Sequence, residues 1–83
     1  MHFVYVLQSL KDKKLYTGFT TDIQRRMQEH KFGGSTSTKK RLPFRLVFYE
    51  AFLSKDDAKR REQYFKTTKG KRALRLILQK SLR

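Results

Sequence analysis

The apolar positions of this chain fall into short runs, each bounded by polar residues. Phe3-Val4-Tyr5-Val6-Leu7 is β-branched and aromatic and predicts a buried strand. Lys11-Asp12-Lys13 breaks the run with turn chemistry, and Leu15-Tyr16-Thr17-Gly18-Phe19 predicts the returning strand of a hairpin. Thr20-Thr21-Asp22 offers capping oxygens to a helix from about Asp22 to about Lys31, in which Ile23 and Met27 share a face. Pro43 precedes a third strand, Phe44-Arg45-Leu46-Val47-Phe48-Tyr49, with apolar residues on both faces, so this strand is expected to be central or covered. Ser54 opens a second helix, with Asp57 in a capping-box-like arrangement. Thr67-Thr68-Lys69-Gly70-Lys71 is expected to interrupt it, Gly70 serving as the C′ residue. A last helix, about Lys71 to Leu82, then places Leu74, Ile77, Leu78 and Leu82 on one core-facing stripe. The order strand, strand, helix, strand, helix, helix predicts an α+β fold. It would be a small three-stranded antiparallel sheet flanked by about three helices, in a single domain spanning 1–83.

The hairpin admits two registers. In one, Val4, Val6, Leu15 and Phe19 share a face and Tyr5, Tyr16 and Gly18 share the other; a slip of one residue separates the two tyrosines. Periodicity does not choose between them. Gly18 either ends a strand or lets a phosphate backbone approach closely. On the first helix Arg25 and Arg26 are about 100° apart and cannot share a role. Arg26 stands one turn before His30, while Arg25 reads as a solvated charge.

Glu62 breaks the pattern of the second helix, where Ala58, Glu62 and Phe65 trace one stripe. A carboxylate in a core-facing stripe is costly unless a cation pairs with it, Arg26 or another arginine, or a metal ion binds it. Between Phe32 and Arg41 the chain is small and hydroxylated, then cationic at Lys39, Lys40 and Arg41. That stretch is either an ordinary connection or a loop that wraps phosphates through amides, hydroxyls and cations.

Composition narrows the class of partner. Twenty-one Lys and Arg against seven Asp and Glu give a net charge of +14. Such a density of cations along the whole chain points to a polyanion, nucleic acid before an anionic membrane. There is no cysteine, hence no disulfide framework and no thiolate metal site. No apolar run approaches the roughly 20 residues of a membrane span, and no signal-peptide pattern opens the chain, so a cytoplasmic protein is the expectation. No Walker motif, paired-carboxylate pattern or His-rich metal spacing is present.

The stretch from Phe3 to His30 resembles the GIY-YIG nuclease motif, and the chain is similar to the small stand-alone members of that superfamily. Phe3-Val4-Tyr5 stands at the first motif triplet and Tyr16-Thr17-Gly18 at the second. Arg26 falls at the helical arginine, His30 one turn on, and Glu62 at the metal-binding glutamate, in a matching context of Ala58 and Lys66. The resemblance selects the register that puts both tyrosines on one face. It implies a metal-dependent endonuclease acting on phosphodiester bonds with little sequence preference. Tyr5, Tyr16, Arg26, His30 and Glu62 would be its catalytic residues, and Glu62 would hold Mg²⁺ or Mn²⁺. Tyr5 would handle the proton of the attacking water, provided that the metal and Arg26 lower the pKa of its phenol. Gly18, Lys39, Lys40, Arg41 and Lys66 are the candidate nucleic-acid contacts. The expected partner is nucleic acid, DNA in the first instance, with no membrane and a monomeric chain. Phe3 replaces the motif's opening glycine and Thr17 its central aliphatic residue, and no asparagine is available for the one that larger members use late in the domain. The second reading is a non-catalytic nucleic-acid-binding module, engaged in DNA repair or associated with RNA or ribosomes.

Overall fold

A computed structural model describes residues 1–31 and 42–82 of the chain. The elements follow in the expected order: β1 (His2–Ser9), β2 (Leu15–Thr20), α1 (Ile23–Lys31), β3 (Phe44–Phe52), α2 (Lys55–Phe65) and α3 (Thr68–Ile77). The strands form one antiparallel sheet in the order β2-β1-β3. β1 is therefore central, paired on both edges, and every residue from Val4 to Ser9 is buried. β3 is an edge strand, not the central one. Its two apolar faces arise from cover: Phe48 packs on Phe65 of α2 at 5.9 Å between ring centroids, and Phe44 lies 6.2 Å from the His30 ring of α1.

The hairpin turn fixes the register. Ser9 Oγ accepts from the amides of Lys11 at 3.1 Å and Asp12 at 3.3 Å, and Asp12 Oδ1 accepts from the amide of Lys14 at 2.9 Å. Lys13 takes a left-handed φ of 64°, which closes the turn. Val4 then faces Phe19, Tyr5 faces Gly18, Val6 faces Thr17 and Leu7 faces Tyr16. Opposite residues of an antiparallel pair share a face. Val4, Val6, Leu15 and Phe19 thus lie on one side of the sheet and Tyr5, Tyr16 and Gly18 on the other.

The valine side carries the core. Val4 and Val6 meet Ala58 and Phe65 of α2 and Leu74 and Leu78 at the α3 end of the chain, with Phe19, Phe48 and Phe52 packed around them. Ser54 caps α2 by accepting from the Asp57 amide, and Thr67 caps α3 by accepting from the Gly70 amide at 3.0 Å. Gly70 is therefore not a C′ residue but sits buried in the first turn of α3. A Cβ there would overlap the Tyr64 carbonyl, so glycine permits the close passage of α3 over the end of α2. α3 runs from Thr68 to Ile77, earlier than the periodicity suggests. Leu74 and Leu78, one turn apart, enter the core, whereas Ile77 is exposed. α1 covers the tyrosine side, delivering His30 against Tyr5 and Tyr16. No helix among the described residues is long and apolar enough to cross a membrane.

Candidate active site

Tyr5 sits in the middle of the central strand with its side chain buried on the α1 face. Its hydroxyl reaches across β2 at Gly18, where a Cβ would overlap the phenol oxygen. Gly18 does not end the strand. It lies inside β2, and the space it leaves holds the Tyr5 phenol.

Two residues of α1 meet that hydroxyl because they are one helical turn apart on the same face. Arg26 Nε donates to the Tyr5 oxygen at 3.1 Å, and His30 Nε2 lies 2.9 Å from it. An arginine N–H can only donate, so the phenol oxygen accepts from Arg26; when the imidazole carries its proton on Nδ1, the phenol's own proton goes to His30 Nε2. In that tautomer Nε2 is the acceptor of a neutral imidazole. Tyr16 completes the group, its ring meeting the His30 ring edge-on at 5.5 Å between centroids.

The electrostatics favour a neutral imidazole beside a protonated phenol. Burial, and then the Arg26 charge, hold His30 below the ordinary histidine range, with Glu29 pulling weakly the other way. Burial pushes the Tyr5 phenol up, outweighing the Arg26 hydrogen bond and charge that lower it. The expected lowering by Arg26 is present, but desolvation exceeds it, and Tyr5 keeps its proton at neutral pH. The hydrogen bond to Tyr5 in turn raises Arg26. Arg26 Nη1 also lies 3.6 Å from Glu29 Oε1, a partner that i,i+3 spacing could have flagged in the sequence. Arg25 is largely exposed, in line with its reading as a solvated charge.

Glu62 stands apart from this group. α2 packs on the valine face, and Glu62 makes no hydrogen bond or ion pair with Tyr5, Arg26 or His30 among the described residues. Glu62 is 8% exposed, and its carboxylate bonds Lys66 Nζ at 3.1 Å, with Lys59 Nζ at 3.8 Å. The buried charge is therefore compensated, by lysines rather than by an arginine. Two observations tie Glu62 to the tyrosines. Its charge contributes to raising the Tyr5 phenol. Lys66, its partner, also lines a cleft of about 440 Å³ that includes Tyr16.

The described residues contain no cluster of three or more histidines and carboxylates. A metal here would have one protein ligand, Glu62. That donor set fits a hard divalent cation that keeps most of its waters. Lys59 and Lys66 are half-exposed, so both can swing off the carboxylate. Lys39, Lys40 and Arg41 lie outside the described residues.

Two tyrosines on paired strands, with an arginine and a histidine from the following helix, match a known arrangement. The family model described as the GIY-YIG catalytic domain matches residues 1–75. The chain belongs to the GIY-YIG family. Among relatives of this GIY-YIG chain, a UPF0213 protein of Clostridium perfringens is 39% identical, covering 100% of this chain and 89% of that protein. A UPF0213 protein of Staphylococcus haemolyticus is 43% identical, covering 92% of this chain and 93% of that one. The solution NMR structure of a UPF0213 protein from Bacillus halodurans matches with a TM-score of 0.57 and 43% identity, over 92% of this chain and 83% of that one.

Proposed function

We propose that this GIY-YIG chain is an endonuclease that hydrolyses phosphodiester bonds of nucleic acid with one divalent metal. It would select structure or lesion over base sequence, and DNA before RNA. The observation that carries this reading is the hydrogen-bonded set Arg26–Tyr5–His30. Hydrolysis needs an acceptor for the proton of the attacking water, and this set supplies a relay. The water O–H gives its proton to the Tyr5 oxygen as the Tyr5 proton passes to His30 Nε2. The water oxygen forms the new P–O bond, the bond to the leaving oxygen breaks, and that oxygen takes a proton from solvent. Because both transfers are coupled, no free phenolate is needed, which suits a phenol whose pKa is raised.

Arg26, held through Nε, presents its remaining N–H groups to the non-bridging phosphate oxygens in a planar fork that lysine lacks. Tyr16 borders the cleft and orients the water or the phosphate. Glu62 would hold Mg²⁺ or Mn²⁺, which supplies positive charge against the scissile phosphate. The net charge of +14 supports a backbone-directed, sequence-tolerant mode of binding. A binding-only module would use that charge equally well. It leaves the hydrogen-bonded set Arg26–Tyr5–His30 without a chemical role.

The test is cleavage of single-stranded, branched and damaged DNA and RNA in Mg²⁺ or Mn²⁺. Products should form with a metal and disappear with a chelator. If no substrate is cut under either metal, the binding module takes the place of the nuclease.

A further inference from the structure

The relay and Glu62 do not account for the shape of the cleft that Tyr16 borders. It lies between β2 and the junction of α2 with α3, and its volume of about 440 Å³ falls within the roughly 300–1,000 Å³ of small-ligand sites. Its chemistry is divided. Leu15, Phe65 and Leu74 give it an apolar wall and floor, and Lys14, Lys71 and Arg75 stand around it. Lys66, the remaining cation of the lining, is engaged by Glu62. Among the described residues no carboxylate pairs with Lys14, Lys71 or Arg75. These cations come from two separate elements and converge on one opening, where mutual repulsion is unrelieved.

A ligand that satisfies such a site carries negative charge on one part and a flat apolar surface on another. We propose that the cleft receives one unpaired nucleotide of the substrate strand, next to the scissile phosphate. Its phosphates lie on the cationic rim and its base against Leu15, Phe65 and Leu74. A base within a duplex is stacked on both faces and could offer the rim only its phosphates, leaving the floor unfilled. A free phosphate would leave it unfilled as well. An unpaired nucleotide fills both parts, since every base has a face to stack and a backbone charge to neutralise. The adjacency to the scissile bond rests on the nuclease reading; the pocket itself does not.

The experiment measures binding with chelator present, so that cleavage does not enter. A fluorescent blunt duplex and the same duplex with a single-stranded extension are titrated with wild-type protein, the extension being deoxy in one arm and ribo in the other. The extended duplex should bind at least about tenfold more tightly with one sugar or both, the order expected for a stacked base. The Lys71→Glu, Arg75→Glu double variant alters exposed residues, and its fold is checked by thermal melting. It should lose this preference even though both duplexes bind more weakly. In wild type, methyl resonances of Leu15 and Leu74 should shift on adding the single strand and stay in place on adding blunt duplex. Equal affinity for the two duplexes, a preference that survives the double variant, or unmoved methyls would each overturn the proposal. Metal-dependent cutting without the preference would sink the pocket and leave the nuclease standing; the preference without any cutting would do the reverse.

Discussion

The Tyr5 hydroxyl lies 2.9 Å from His30 Nε2, joining the central strand to a helix 25 residues away. Arg26 donates to the same oxygen, so the phenol accepts from the guanidinium on one side and meets the imidazole on the other. Tyr5→Phe keeps the ring and removes the relay. Cleavage should fall by about 10² or more, the usual worth of a positioned proton acceptor. His30 Nε2 and Arg26 Nε lose their partner in a buried setting, so denaturant unfolding should show a loss of about 1–3 kcal/mol.

A pH profile reads the histidine. His30 works as an acceptor only when neutral, and its pKa in the folded protein is lowered from its ordinary 6.5. Cleavage should therefore persist through pH 6.5 and fall only at lower pH, with metal kept saturating. Stability has the same sign. As pH falls below 6.5 the unfolded chain takes up the proton first, and His30's contribution is lost as pH drops towards the folded value. His30→Gln should flatten this dependence in urea midpoints measured across that range; an acid limb centred above 6.5 would contradict the assignment.

Gly18→Ala tests the packing of the site. The added methyl must displace the Tyr5 phenol, moving its oxygen off Arg26 and His30. Activity should drop steeply, because displacement by a single ångström costs about 10²-fold. Protection of the β1 amides in hydrogen exchange should change little. Activity equal to wild type would mean that the phenol's position is immaterial.

Gly70→Ala separates the fold from the site. The Cβ meets the Tyr64 carbonyl, which is backbone and cannot swing aside. Overpacking of this kind costs about 1–3 kcal/mol, seen as a lower thermal midpoint. Activity per folded molecule, measured well below that midpoint, should remain.

The strands, α1 and the face shared by the tyrosines were readable because β-branched runs, turn residues and caps all agree there. The central position of β1 was not, since β3 has apolar residues on both faces too, and only pairing distinguishes a covered edge from a centre. Gly70 misled because glycine marks both a left-handed helix end and a close helix crossing, and the sequence does not say which. Arg26 and His30 stood out by their spacing of one turn. The raised Tyr5 pKa was not legible, because it depends on how deeply the fold buries the phenol. Lys14, Lys71 and Arg75 were invisible as a group: they belong to β2's flank and α3, and only the fold brings them to one cleft.

The central claim, hydrolysis directed by Glu62 and the Tyr5 relay, is tested most directly by Glu62→Gln beside wild type on one cleavable substrate. The substitution keeps the size of the side chain and removes the charge that would hold Mg²⁺ or Mn²⁺. Strand cleavage and binding are measured in parallel, with either metal and with a chelator. Cleavage should collapse to the chelator baseline while affinity holds or rises, because a negative charge near phosphate has gone. Glu62→Gln cutting as fast as wild type would contradict the account.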